Sequence, residues 1–343
     1  MRLRLLAMSF AMISSVACFA EAVAPAVPVQ NKPATRPSAP LIKGVTAIRD
    51  LQYVPDGDVS QRLDLYLPEK PSDKPLPLVI WIHGGGWRGG SKNGCGSLWL
   101  VPEGYAAASV EYRFSQKAVF PAQIEDCQAA IRYLRANAKK YNLDADHIAV
   151  AGDSAGGHLV ALVGTSGGKK AFRMVGGNED QSDRVQAVCD FYGPADFNTV
   201  VQQAADDKNA KNIFKFNTPS DPYSGLIGVN LNSDQAKGDA VSPVHFVSKD
   251  NPPFLILHGT HDALVPFAQS EEFVAALKKE GVDATLQPFP GSGHGGPAFS
   301  SPAARKLQKA FVDKHLKGMD VTVEQLPDSA VAVPVPVKPQ VKQ

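Results

Sequence analysis

His147-Ile-Ala-Val-Ala-Gly-Asp-Ser-Ala-Gly-Gly157 decides the fold. An apolar run at 147–151 leads directly into Gly-x-Ser-x-Gly at 152–156. That order reads as strand, sharp turn, helix. Small residues two before and two after Ser154 let the chain turn tightly, and the turn lifts the Ser154 hydroxyl toward a substrate. In this reading Ser154 is a nucleophile. The competing reading is a glycine-rich loop with a solvated serine, and the partners of Ser154 decide between them.

Outward from this stretch, strands and helices alternate. Residues 45–54 and 61–67 read as early strands, a hairpin around Pro55-Asp56-Gly57-Asp58. Leu78-Val-Ile-Trp-Ile82 is continuously apolar, as a strand covered on both faces should be. Ala106 to Tyr112 is a further strand. Pro121 then opens a helix whose one face carries Ile124, Cys127, Ile131, Leu134 and Ala138. Val185–Tyr192, Pro253–Leu257 and Ala284–Phe289 supply later strands. Pro266 opens a helix that Gly281 closes, with Lys278 and Lys279 in its last turn. Residues 302–316 form the last helix. The alternation predicts an α/β fold with a mostly parallel central sheet and helices on both faces. Residues 196–245 break the rhythm. They are rich in Asn, Asp and Lys, and are expected to form a small polar lid or substrate-binding insertion above the strand ends, or else a solvated excursion.

A serine hydroxyl needs a base to take its proton and a carboxylate to orient the base. In such a sheet the useful positions are the carboxyl ends of strands. His258-Gly-Thr-His-Asp262 follows one predicted strand and Gly291-Ser-Gly-His294 follows the last. Ser154, Asp262 and His294 therefore stand in the order nucleophile, acid, base. Asp196, after the strand ending at Tyr192, competes for the acid's place. His258 is expected to support its turn and His261 to flank the acid. Asp153 is expected to brace the nucleophile turn. Acyl transfer also creates an oxyanion, which preorganised donors must meet. His83-Gly-Gly-Gly-Trp87 begins where the strand Leu78–Ile82 ends, and it lacks the Lys-Ser/Thr ending of a phosphate-binding loop. Gly85, Gly86 and the residue after the nucleophile, Ala155, are the expected backbone donors. Trp87 suits an acyl or aryl pocket. Arg88 and Lys92 either meet a polar substrate or sit solvated on the lip.

With these residues in hand, the chain resembles the α/β-hydrolase esterases over about Val45 to Lys317. HGGGW at 83–87, GDSAGG at 152–157, GTHD at 259–262 and GSGH at 291–294 carry the resemblance together. HGGGWRGGSK at 83–92 looks most like the secreted carbohydrate esterases, which include acetylxylan and feruloyl esterases. The hormone-sensitive-lipase-like carboxylesterases share HGGG and GDSAGG. They usually carry a large N-terminal helical cap, which is not expected here because strand-like sequence starts almost directly after the Pro-rich linker. The resemblance implies ester hydrolysis through an acyl-enzyme, on short-chain or aryl esters, with no metal or organic cofactor. The substrate it implies is a small-molecule or polysaccharide-linked ester. Two other classes use the same residues: a serine amidase or peptidase of arylformamidase type, and an inactive binding module.

The rest of the chain bounds the setting. It has 343 residues, 44% of them hydrophobic, and a formal net charge of +1. No basic field argues for a nucleic-acid partner. Arg2 and Arg4 precede an apolar stretch from Leu5 to Ala17 and then small residues, the pattern of a signal peptide over 1–22. It predicts a secreted or periplasmic protein with no membrane span after its removal. An uncleaved anchor and lipid attachment at Cys18 are the alternatives. Residues 23–44 read as a Pro/Ala-rich linker, 45–318 as the hydrolase domain, and 319–343 as a Pro/Val-rich disordered tail. Cys95, Cys127 and Cys189 leave room for one disulfide without choosing the pair, and their spacing fits no zinc motif.

Overall fold

The computed structural model describes residues 41–218 and 220–331. The predicted signal peptide, nearly all of the predicted linker and the end of the predicted tail lie outside these residues.

In chain order the elements are β1 (Val45–Gln52), β2 (Arg62–Pro68), β3 (Leu76–Ile82), β4 (Ala106–Val110), α1 (Ala122–Ala136), α2 (Ala138–Tyr141), β5 (Leu143–Asp153) and α3 (Ala155–Ser166). There follow β6 (Ala187–Phe191), α4 (Val200–Asp206), α5 (Pro222–Ile227), α6 (Gln235–Val241), β7 (Phe254–Gly259), α7 (Ala268–Lys279), β8 (Ala284–Phe289), α8 (Pro302–Lys317) and α9 (Asp328–Val331). Eight strands form one sheet in the order β1-β2-β4-β3-β5-β6-β7-β8. The pairs β1–β2 and β2–β4 are antiparallel, and every pair from β4–β3 to β7–β8 is parallel. This is the α/β-hydrolase sheet that the sequence predicts.

Period two divides β3 between the two faces. Leu78, Ile80 and Ile82 join a core with Ile124 and Ile131 of α1, Leu159 and Val163 of α3, and Phe273 and Leu277 of α7. Val79 points the other way, into a core with Leu255, Leu257 and Leu307, Phe311 and Leu316 of α8. Helices thus cover both faces. The central strands β3 to β7 are mostly apolar because neither face meets water, with Ser109 in β4 and Asp190 in β6 among the buried polar exceptions. The edge strand β1 instead alternates, with exposed positions at every second residue. The last helix has clear end signals. Ser301 accepts from the Ala304 N–H at 3.2 Å, Pro302 follows, and Gly318 closes the helix with φ 62°.

One expectation is corrected, the disorder of the tail at its start, and the insertion is packed more firmly than its composition suggests. Residues 196–245 are polar in composition, yet the insertion is anchored. Phe197, Val200, Tyr223, Leu226, Ile227, Leu231 and Val241 are all buried in the α1/α3/α7 core. A few apolar residues in a polar stretch fix its three short helices, which a reading by average composition overlooks. The tail is likewise held at its start. Val323 and Leu326 pack on the α8-side core and Val331 is buried in it. The Leu326 N–H donates to Gln287 Oε1 at 2.6 Å, and Gln325 Nε2 donates to the Leu286 carbonyl. These contacts run along β8, a sheet edge whose polar groups need cover.

Candidate active site

Ser154 stands between the end of β5 and the start of α3, with φ 55° and ψ −118°. That is a strained conformation for a residue with a side chain, and here the surroundings over-determine it. The Ser154 N–H donates to the Phe191 carbonyl at 2.8 Å, and the Ser154 carbonyl accepts from the His158 N–H at 2.9 Å. The turn is pressed against the end of β3, so that a side chain at Gly156 would collide with the Ile82 carbonyl oxygen.

His294, in the loop after β8, brings Nε2 to 2.8 Å from Ser154 Oγ. Its Nδ1 lies 2.6 Å from Asp262 Oδ2, at the end of β7. An ionised carboxylate only accepts, so Nδ1 carries the hydrogen and the neutral ring presents Nε2 as acceptor for the serine O–H. Asp262 is buried, and its Oδ1 accepts from the Leu264 N–H at 2.8 Å and the Val265 N–H at 3.0 Å. Burial pushes the Asp262 carboxyl up. The bonds and charges of the His258 and His294 imidazoles outweigh that and hold it well below the usual carboxylate range.

The competing acid, Asp196, is elsewhere. It accepts from the Asn198 N–H at 2.7 Å and lies 3.9 Å from His245. His258 supports its turn as expected and also takes the place beside Asp262 that was expected of His261. His258 is wholly buried and reaches both its turn and the acid: Nδ1 is 2.7 Å from Ser270 Oγ, and Nε2 is 3.1 Å from the Val265 carbonyl and 3.2 Å from Asp262 Oδ2. His261 adjoins the acid in sequence only; it is exposed, and its Nδ1 pairs with Thr260 Oγ1 at 3.0 Å.

The loop after β3 folds over Ser154. Gly85 has φ 117° and a side chain there would run into the Gly89 carbonyl, so the loop needs glycine at this point. The N–H groups of Gly85 and Gly86 have no acceptor among the described residues. Ala155 opens α3, where the N–H has no partner within the helix. All three residues line one cavity of about 470 Å³ together with Ser154 and His294. Asp153 Oδ1 accepts from the Gly84 N–H at 2.9 Å, so it ties the nucleophile turn to the glycine loop. Burial holds the Asp153 carboxyl above its ordinary range, against the pull of that bond.

Trp87 and Arg88 both line the cavity. Trp87 is only 2% exposed, and its edge is wedged among His158, Phe197 and Tyr223. Its Nε1 donates to His158 Nδ1 at 3.1 Å, while His158 Nε2 faces the Val241 carbonyl at 2.7 Å. Trp87 is thus a wall of the site more than a lip. Arg88 is on the lip, and its guanidinium donates to the Ser220 carbonyl at 2.7 Å. Lys92 is not at the site. Its Nζ is buried between Asp64 (2.6 Å) and Asp50 (2.9 Å), and its N–H donates to Glu111 Oε2 at 3.0 Å. Glu111 in turn meets His83 Nε2 at 3.2 Å. These ion pairs brace the glycine loop from below.

The rest of the cavity wall escaped sequence reasoning: Tyr192, Pro194, Phe214, Tyr223, Leu264 and Val265. The available signal was the aromatic trio Phe214, Phe216 and Tyr223 within an otherwise polar insertion. Cys95, Cys127 and Cys189 are all free thiols, the last two buried. Among the described residues no group of His, Cys, Asp and Glu could hold a metal ion, and no helix is long and apolar enough to cross a membrane.

Comparison with known proteins agrees with this geometry. A solved truncated carbohydrate esterase from gut microbiota superposes with a TM-score of 0.72 at 31% identity, over 79% of this chain and 96% of that one. An acetyl ester-xyloside bifunctional hydrolase from Caldicellulosiruptor lactoaceticus gives 0.56 at 31% identity, over 75% and 86%. The probable carboxylic ester hydrolase LipM of Mycobacterium tuberculosis is 32% identical over 238 residues, 66% of this chain and 52% of LipM. The chain spans about half the length of the curated relatives it matches. The dienelactone hydrolase family model matches residues 238–320, and the BD-FAE model matches residues 63–277. With a match over more than half its length, and with this sheet, the chain belongs to the BD-FAE family, among the α/β-hydrolase esterases.

Proposed function

We propose that the protein is a serine carboxylic-ester hydrolase that works through an acyl-enzyme. Its substrates are short-chain or aryl esters, with acetyl or feruloyl groups on plant polysaccharides as the natural class. The observation that carries this reading is the unbroken relay from Ser154 Oγ to His294 Nε2 (2.8 Å) and from His294 Nδ1 to Asp262 (2.6 Å), opening into a cavity.

In the first half-reaction His294 takes the Ser154 proton as Oγ attacks the ester carbonyl. The Gly85, Gly86 and Ala155 N–H groups receive the oxyanion, and Asp262 stabilises the imidazolium. His294 then returns the proton to the leaving alcohol. In the second half, water attacks the acyl-enzyme with the same base, and acid and Ser154 are released. The walls formed by Phe214, Tyr223, Leu264 and Val265 suit an acyl group that is small or flat. The carbohydrate branch is supported by the names of the two solved neighbours, each matched over most of its own length. In this reading residues 1–22 direct export, which N-terminal sequencing of the mature protein tests.

The decisive experiment combines a fluorophosphonate probe with a substrate panel of aryl acetate, long-chain aryl ester, methyl ferulate, acetylated xylan and matched amides. Wild type should label and hydrolyse esters far faster than amides. Ser154→Ala should stay folded and do neither. Normal turnover by Ser154→Ala sinks the assignment. Faster amide than ester cleavage moves the protein to the amidases, and absence of labelling with a folded chain makes it a binding module.

A further inference from the structure

A second cleft of about 210 Å³ adjoins the first, lined by Trp81, Trp99, Phe299, Arg305 and Gln308. Asp153 and Tyr192 line both cavities, so the two share a wall. The Tyr192 ring meets His294 at a tilt of 59° (centroids 4.6 Å) and Phe299 edge-on at 79° (4.9 Å). Gly296, two residues after His294, lines this cleft, which therefore lies just beyond the base. A side chain added at Gly296 would meet nothing within 4 Å, so the cleft is open at this point.

The geometry points to a saccharide subsite in this second cleft, one that holds a sugar ring of the alcohol half of the substrate. The inference rests on the ester-hydrolase reading above, because that reading fixes which half of the ester lies where. His294 hands its proton to the leaving alcohol, so the alcohol must leave on the His294 side. The ester carbonyl oxygen meets the N–H groups of Gly85 and Gly86, which line the first cavity and not the second, and the Phe214, Tyr223, Leu264 and Val265 walls of the first cavity take the acyl chain.

The chemistry of the lining fits a sugar. Trp81 and Trp99 are only partly buried, and indole surface of this kind packs on the C–H face of a pyranose. Hydroxyl groups around that ring need donors and acceptors. The Arg305 guanidinium is exposed and has no hydrogen-bond or ion-pair partner among the described residues. Its one contact is the Trp99 ring, 5.5 Å from guanidinium carbon to centroid. Gln308 donates its amide N–H to the Phe299 carbonyl at 3.0 Å, which leaves its carbonyl oxygen as a fixed acceptor. The cleft has less than half the volume of the first cavity, room for one ring of a chain that continues into solvent.

Two measurements on the full chain test this. In the first, unacetylated xylotetraose is titrated calorimetrically into wild type, Trp99→Ala and Arg305→Ala, whose thermal midpoints are checked first. Wild type should bind, and each variant should bind at least fivefold more weakly. In the second, kcat and KM are measured on p-nitrophenyl acetate, which carries no sugar, and on acetylated xylotetraose. The variants should raise KM on the oligosaccharide at least fivefold and leave the aryl ester within twofold. Failure of wild type to bind, or binding by the variants as tight as wild type, overturns the subsite. So does an equal loss on both esters, which would mark a structural role. If wild type hydrolyses neither ester, the ester-hydrolase reading fails by itself, and the titration still decides whether the cleft holds a sugar.

Discussion

His258 Nε2 lies 3.2 Å from Asp262 Oδ2, and neither side chain has any exposed surface. Oδ2 is also the oxygen that His294 reaches, so two imidazoles converge on one carboxylate atom. His258 cannot swing away, because Ser270 Oγ and the Val265 carbonyl fix its two nitrogens at 2.7 and 3.1 Å. This makes it a positioning residue for the acid. Without it, more of the Asp262 charge faces His294, and the imidazolium is favoured. His258→Asn should therefore lower kcat about tenfold and change the pH dependence of kcat/KM. A variant that loses stability but keeps the wild-type pH profile would make His258 a purely structural residue.

The assignment of the acid is separately testable. Asp262→Asn keeps the shape of the site but can donate to His294 Nδ1, which favours the wrong tautomer. A loss of kcat of about 10⁴ is expected on that ground. Asp196→Asn should stay within a few-fold of wild type, because Asp196 is spent on the Asn198 N–H and the neighbourhood of His245. Comparable losses in both variants would undo the choice of Asp262.

Much of the frame and of the candidate site could be read from local signals. The apolar run before Gly152, the chain order Ser154, Asp262, His294 and the glycines at 84–86 each have a short-range physical cause. Strand ends also constrain where such residues can meet. What could not be read depends on which side chain faces which partner. Lys92 follows Arg88 by four residues and carries the same charge, yet it is buried against Asp64, a residue 28 positions earlier. His261 is adjacent to Asp262 in sequence and His258 is four residues away, yet it is the more distant one that touches the carboxylate. The anchoring of 196–245 was hidden because seven buried apolar residues are diluted in a polar stretch.

Trp87 joins the glycine loop to the insertion through one polar contact. Its Nε1–H donates to His158 Nδ1, and His158 passes the link to the Val241 carbonyl. Trp87→Phe keeps much of the packing but strands a buried acceptor. It should cost about 1–3 kcal/mol in urea unfolding. Trp87→Ala adds a cavity and should cost about 3–5 kcal/mol. Both should raise KM more than they lower kcat, since the loop loses its stop but Ser154 and His294 keep theirs. Equal stability of wild type and Trp87→Phe would mean that the His158 contact is not formed in solution.

Two buried groups should give opposite pH slopes to stability. Burial pulls His158 down from its ordinary 6.5 to about 4, against the raising effect of its bond to Val241. Below 6.5 the unfolded chain takes up a proton that the folded chain refuses, so this part of the stability is lost as pH falls from 6.5 toward 4. Burial pushes Asp190 up from 3.8 to about 7, against the Gly193 N–H that its Oδ1 accepts at 2.9 Å. Above 3.8 the unfolded chain releases a proton that the folded chain keeps, so stability falls as pH rises toward 7. Between pH 4 and 6.5 the two slopes cancel in large part. Asp190→Asn stays neutral and removes the second slope. Its stability should rise from pH 4 to 6.5 where wild type is nearly flat. Relative to wild type it should gain on the order of 4 kcal/mol between pH 4 and pH 8. Urea midpoints at four pH values measure this, and parallel curves for the two proteins would show that Asp190 is ionised in the fold at neutral pH.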